Sequence, residues 1–480
     1  MIVEAAKPHF TKDLCRWISK FSLKQVPGDI QLRTKYIILD GIACGLVGAR
    51  LPWSSKATEA LFAAESPGSS TIIGWDRKLS PLAAALLNSS FIQGFELDDW
   101  HSEAPLHSNS LILPTLFALG QHLKATKGQN TTGKELLSAA LVGFEVGPRV
   151  GKALWGTHIL STGWHSGAVF GSAASAASAS SLLKFSADEV EDALGTACTQ
   201  ACGLMSAQFG SDAKRMQHGF AARNGLLATL LAQRGYSGIK DVFELPYGGF
   251  LKQFSAGNGK TPAYLPEELT KDLGEFWQTT NICLKPYSSM AGTHPTVDCI
   301  RNIQKECPEL EGSGAVRMIS KVRIILGKAA FNHGGFDIHR PIATTGAQMS
   351  NIFVAATQIV HGSVLPAQFR QNMLENDDVW AVVDKTACEP AEASESFSAQ
   401  TVEITLTNGR VLKNSVESAR GDNPPLANEE LAEKYDELVD DVIEKERAER
   451  IKAFVLSLDE QENIEELLEL LGPGTKNPIS

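Results

Sequence analysis

The sequence has no Cys-x-x-Cys pair, no Gly-x-Ser-x-Gly elbow and no Gly-x-Gly-x-x-Gly fingerprint. The last two absences leave nucleophilic hydrolysis and dinucleotide chemistry without support. Its eight cysteines (Cys15, Cys44, Cys198, Cys202, Cys283, Cys299, Cys307 and Cys388) are scattered. Cys198 and Cys202 stand at helical i, i+4 spacing in an apolar run, which reads as buried free thiols in a reducing compartment. No apolar signal core accompanies Glu4, Lys7, Lys12, Asp13 and Arg16 at the N-terminus, so secretion is not expected. The expected location is cytoplasmic; a mitochondrial address is the alternative, with Glu4 and Asp13 against it. The Ala/Ser/Gly-rich run 167–181 is too polar for a membrane span and suits a helix packed backbone-close in an interior. A net charge of −11 speaks against general binding to nucleic acid or an anionic membrane. It leaves an anionic small substrate open, because local cations decide that.

With 480 residues, 43% hydrophobic and 21% charged, the chain is ordinary globular material, long enough for two to four domains. Apolar residues recur at three- and four-residue spacing over 11–21 and 29–48, and helical patterns continue over 132–154, 167–183, 186–207 and 219–234. Residues 68–75 read as a short extended piece. The character changes near 280. Residues 320–326 are β-branched and strand-like, and 400–416 form the clearest hairpin, with Val402, Ile404 and Leu406 alternating before Asn408-Gly409. Helices are expected at 296–306 and 347–360, and again from 428. The expected fold is mainly α: a large all-helical domain from both chain ends (1–279 and 422–480) and a smaller α+β lid domain (280–421).

The stretch 96–108 dominates the chemistry. It carries Glu96, Asp98, Asp99, Glu103, His101 and His107 between two apolar helices expected at 81–95 and 111–124. Ser80 suits the cap of the first, and Ser108, Asn109 or Ser110 that of the second, with Pro114 near its first turn. Pro105 breaks the helical run, placing His107 beside a helix N-terminus, where backbone N–H groups attract anions. Three readings compete: a solvated acidic loop, a metal site drawing on Asp98, Asp99, His101, Glu103 and His107, and acid–base chemistry on an anion with His107 as donor. The His-x-x-x-His spacing of a one-face metal site is missing.

Other candidates are spread along the chain. His165 lies in the turn Gly163-Trp164-His165-Ser166-Gly167, just before the small-residue helix. A polar break at 211–219, read as a loop projecting between two apolar helices, holds Lys214, Arg215 and His218. Lys285 and Tyr287 open the second domain, and His294 precedes Pro295 at another helix start. Gly257-Asn258-Gly259-Lys260 lacks the strand and the Ser/Thr of a phosphate loop.

The acidic corner, the 163–167 turn, the run 193–225 with Cys198-Thr199-Gln200-Ala201-Cys202-Gly203 and Gln217-His218-Gly219, and the 285–294 segment together resemble the MmgE/PrpD family over about residues 11–470. That resemblance implies a homodimer without a cofactor, with a cleft between helical domain and lid that takes a small tricarboxylate. It also implies decarboxylation of cis-aconitate to itaconate, or, as the alternative, dehydration or decarboxylation of 2-methylcitrate or an alkyl-substituted citrate or aconitate. By position His107, Lys214, Lys285, Asp98 and His165 are its expected catalytic residues, and Glu96, Asp99, His101, His294 and Tyr287 its expected substrate contacts, with no metal ligand. The chain departs from the pattern at Met290, where the animal decarboxylases of the family carry a histidine, and by one extra residue between Asp99 and His107.

Overall fold

A computed structural model describes residues 9–208, 211–391 and 398–480; Glu4 and Lys7, used above, lie outside the described residues. The chain is mainly α with a small sheet region. It divides into two compact units: Met1–Gly94, Asp98–Ile282 and Asn428–Lys476 form one, and Phe95–Leu97, Cys283–Ala427 and Asn477–Ser480 the other.

The first unit contains α1 (Phe10–Lys20), α2 (Gly28–Gly48), α3 (Pro52–Ala64), the strands β1 (Ser70–Ile72) and β2 (Trp75–Leu79), and α4 (Pro81–Ile92). It continues with α5 (Ser108–Lys127), α6 (Gly133–Ala153), α7 (Ser166–Leu182), α8 (Ala187–Cys198) and α9 (Ala213–Ala232). Local chemistry sets several starts. Ser80 accepts from the Ala83 N–H at the head of α4, and Thr132 and Ser186 each form a capping box with the glutamate three residues on. The small-residue helix α7 is buried along nearly its whole length and packs on α5, α6, α8 and α9. At Gly225 of α9 a Cβ would lie 2.6 Å from the Ser172 carbonyl oxygen, so only glycine lets these two helices approach backbone to backbone.

Several boundaries differ from the sequence expectation. Residues 68–79 make a two-stranded antiparallel hairpin rather than one extended piece. The run expected to be helical to 207 ends at Cys198, leaving Cys202 exposed. Leu204 pairs instead with Trp164, and the Gln217 amide bonds both its N–H (2.7 Å) and its C=O (3.2 Å), a tertiary clamp that outcompetes helix continuation. The polar break at 211–219 is not a loop. It is the opening of α9, whose Ala213 N–H is received by Ser211 Oγ and whose Ala, Lys, Arg, Met and Gln are good helix formers.

The second unit holds α10 (His294–Glu306), β3 (Ile319–Leu326), α11 (Asn351–His361), β4 (Thr386–Pro390), β5 (Gln400–Leu406) and β6 (Val411–Val416). Its sheet runs β4-β3-β5-β6, parallel only between β3 and β4. Gln400, Val402, Ile404 and Leu406 of β5 are buried in alternation, as the hairpin pattern requires. The helix expected over 347–360 is broken at Ser350, which turns extended and caps α11 through the Phe353 N–H.

The chain then returns to the first unit as α12 (Asn428–Val439) and α13 (Lys445–Leu456). On α12 the buried stripe is Leu431, Lys434, Tyr435, Leu438 and Val439. The lysine in that stripe meets Asp40, an aspartate in the apolar body of α2, at 2.5 Å. Burial alone would discharge Lys434; the Asp40 carboxylate keeps it above the ordinary lysine range. Removing one member of such a pair strands the other in the core. Lys434→Met is therefore expected to cost about 3–5 kcal/mol. Denaturant unfolding followed by circular dichroism checks this: the midpoint falls in the single variant and largely recovers in Asp40→Asn/Lys434→Met.

Candidate active site

The corner between α4 and α5 is buried, not solvated: Asp98, Asp99 and His101 have no exposure to solvent. Burial forces each polar group to find a partner, and the partners separate the candidates by role. Asp99 does what Ser108, Asn109 or Ser110 was expected to do. Its Oδ2 accepts from the Ser108 N–H (2.7 Å) and its Oδ1 from the Asn109 N–H (3.0 Å), so it caps α5, which starts at Ser108 and carries Pro114 in its interior. Burial, then the charge of Asp98, push Asp99 well above the usual carboxylate range against the pull of those two N–H groups.

His101 is likewise tied into the fold. Its Nδ1 accepts from the N–H groups of Glu103 (3.3 Å) and Ala104 (3.1 Å), which leaves Nε2 to donate to Gln278 Oε1 at 3.1 Å. Nδ1 holds the corner's own backbone, and Nε2 ties the corner to Gln278. Glu103 pairs with Lys152 at 2.8 Å. The ligand set of the metal reading is thus dispersed, and among the described residues no group of three His, Cys, Asp or Glu side chains is arranged around a common point.

The groups that do converge lie at the heads of three mutually packed helices, α5, α7 and α9. His107 is the N-cap residue of α5 and His165 that of α7, and neither ring caps its own helix. His107 Nδ1 donates to Asp98 Oδ2 at 2.9 Å, which sets the tautomer of the neutral ring. On the first two turns of α9 stand Lys214 and, four residues later on the same face, His218. The His218 ring centroid lies 5.0 Å from that of His107 and 5.1 Å from that of His165. Lys214 is 6% exposed, unusual for a lysine, and stands one helical turn before His218, the ring that meets the other two imidazoles. Three helix dipoles point their positive ends at this cluster. Groups of these types can, in chemical terms, bind carboxylates and transfer protons.

His218, a candidate in the polar break, was given no catalytic or substrate-binding role by the sequence reading. Its signal was the Lys214/His218 spacing, legible once the polar break is recognised as helix. The Asp40–Lys434 pair also escaped, although a lysine inside the apolar stripe of α12 and an aspartate inside the apolar run of α2 are its signature.

The remaining candidates belong to the second unit. Lys285 Nζ lies 3.4 Å from Glu96 Oε2, both nearly inaccessible, and Glu96 adopts φ of +57°, a strained conformation for a glutamate. Tyr287 donates to Asp298 Oδ1 (2.5 Å) and accepts from Arg301 (3.1 Å), while His294 Nε2 donates to the Ser289 carbonyl (3.0 Å). Those bonds hold the 285–294 segment in shape. Met290 is buried, and its N–H donates to the Gln348 carbonyl oxygen at 3.0 Å.

His101 gives a pH signature. Burial, reinforced by Lys152 and opposed by Glu103, lowers it to about 4 from its ordinary 6.5. The neutral ring is the folded form. Stability from this group is complete above pH 6.5 and is lost as pH falls from 6.5 toward 4, where the unfolded chain takes the proton first, on the order of 3 kcal/mol in all. Thermal unfolding between pH 7.5 and 4 is expected to show this slope, and His101→Gln to start lower at pH 7.5 and lose less on acidification; parallel curves would refute the assignment.

The comparisons with known proteins agree with one another. The cis-aconitate decarboxylase of Aspergillus terreus is 44% identical over 481 residues, covering 99% of this chain and 98% of its own. The cis-aconitate decarboxylase-like protein oryM of Aspergillus oryzae is 43% identical over 466 residues, covering 96% and 97%. The human cis-aconitate decarboxylase is 26% identical, covering 92% and 90%. The MmgE/PrpD N-terminal domain matches residues 12–263 and the MmgE/PrpD C-terminal domain residues 287–460. The chain belongs to the MmgE/PrpD family.

Proposed function

We propose that this protein is a carboxy-lyase that converts cis-aconitate to itaconate and carbon dioxide. The observation that carries the reading is the meeting of His107, His165 and His218 at the heads of three helices, with the nearly buried Lys214 one turn before His218. Its full-length similarity to two Aspergillus proteins named for cis-aconitate decarboxylation supports it. A trianionic substrate needs that much positive potential to leave water.

The chemistry follows from the groups available. The bond from the CH₂ group to its carboxylate breaks, carbon dioxide leaves, and the electron pair forms a new C=CH₂ bond. The former alkene pair moves onto the vinyl carbon and its carboxylate, an enediolate-like intermediate. Lys214 and the helix N-termini stabilise charge as it develops there, in the manner of an oxyanion hole. His107 then donates its Nε2 proton to the former vinyl carbon, with Asp98 holding the imidazolium through Nδ1. One proton is consumed and the exomethylene product results.

An apolar cavity of ≈ 430 Å³ in the first unit, lined among others by Ala168, Gly203, Leu204, Ala207 and Phe220, favours a second reading. Gly203 packs close to the His165 side chain, so an alkyl chain on a citrate or aconitate would find an apolar wall there.

EDTA-treated protein is to be incubated with cis-aconitate and, separately, with 2-methylcitrate, with products followed by proton NMR. A pair of exomethylene signals from cis-aconitate is the expected outcome; silence there with water loss from methylcitrate would replace the reading by the dehydratase one. His107→Ala and Lys214→Ala are each expected to lower turnover by about 10²-fold or more while unfolding at the wild-type temperature. Near-normal turnover in either would remove that residue from the mechanism.

A further inference from the structure

The His218 imidazole is the most confined group of the cluster. It has no exposure to solvent, and room for it is made in the backbone of a neighbouring helix. A Cβ on Gly167, in the first turn of α7, would lie 2.0 Å from His218 Nε2 and 2.5 Å from its Cδ2, so any other residue at 167 would collide with the ring. The ring therefore rests on bare helix backbone at the head of α7.

Its hydrogen bonds lead to His107. Ser110 Oγ donates to the His107 carbonyl oxygen at 2.8 Å and lies 2.7 Å from His218 Nδ1. Because the hydroxyl proton is spent on that carbonyl, Nδ1 is the donor toward Ser110, and the chain of bonds runs His218 to Ser110 to the His107 backbone. That carbonyl belongs to the N-cap residue of α5, whose backbone angles aim the His107 side chain. The ring contacts add to this: His218 meets His107 at an interplanar angle of 65° and His165 at 74°, edge to face on both sides. One imidazole on α9 thus spaces the N-cap histidines of α5 and α7.

We infer that His218 is a positioning residue: through Ser110 and the edge-to-face contact it sets the orientation of the His107 ring for proton delivery. The inference rests on His107 being the donor proposed above. The directional part is the hydrogen-bond chain, since edge-to-face contacts tolerate a range of angles while a hydroxyl bridge does not. A ring displaced by about an ångström loses on the order of 10² in rate.

Two substitutions separate the contributions. His218→Asn keeps an N–H donor where Nδ1 stands; His218→Phe keeps a ring and loses the donor. Turnover of cis-aconitate is measured as kcat and KM, and the His107 imidazole is followed in ligand-free protein by nitrogen–proton correlation spectra. His218→Phe is expected to lower kcat about 10- to 100-fold with KM within about twofold, and to shift the His107 resonances. His218→Asn is expected to restore most of both. Ser110→Ala, which removes the bridge without touching α9, is expected to move the same resonances and serves if a His218 variant fails to fold. Unchanged kcat in His218→Phe overturns the inference. So does a lost kcat with unmoved His107 resonances, which would mean that His218 acts on the substrate itself or that the change is only structural. His107→Gln with wild-type turnover would instead remove the donor assignment, and the spectra would still report whether His218 orients the ring.

Discussion

Three carboxylates with almost no access to water, Asp40, Asp98 and Asp99, constrain everything around them. Buried charge has to be paired or hydrogen-bonded where it stands. Each is met by a different part of the chain: Asp99 by the first N–H groups of α5, Asp98 by the His107 ring, and Asp40 by Lys434 from the C-terminal helix α12. Together these three carboxylates fix a helix start, a histidine tautomer and a chain end. Asn109 ties the first two to the third, for its side chain donates to the Ile37 carbonyl on α2, one turn before Gly41, which leaves space beneath it.

Helix packing turns that device into a site. The small residues of α7 let α5, α6 and α9 come close, and this closeness brings the heads of α5, α7 and α9 within one imidazole of each other. Each helix start contributes a partial positive charge, and each places its own His or Lys in the first turns. The chemistry proposed for the protein draws on a positive potential that no single segment supplies.

Much of this was legible in the chain. Apolar periodicity located α1, α2, α6 and α7 closely, the Ser80 cap and Pro81 marked α4, and alternation with Asn408-Gly409 marked the β5–β6 hairpin. These signals are local, written by the side-chain period and by capping chemistry. The misreadings share one cause. The sequence left a solvated loop among the readings of 96–108 and took 211–219 for a loop, and most residues of both segments are buried because distant residues satisfy their polar atoms. His101 needed Gln278, and the extended turn at Leu204 needed Gln217; neither partner is near in sequence.

The amino-acid sequence by itself determined the helical character, the hairpin, the family and the residue types assembled at the heads of α5, α7 and α9. Periodicity, caps and motif spacing are properties of neighbouring residues, so they survive without a fold. Only the tertiary structure decided which histidine packs between the two N-cap rings, which aspartate caps a helix rather than orients a ring, and which lysine on the last helices neutralises the core. Those roles depend on desolvation, and a group's access to water is set by packing from segments hundreds of residues away.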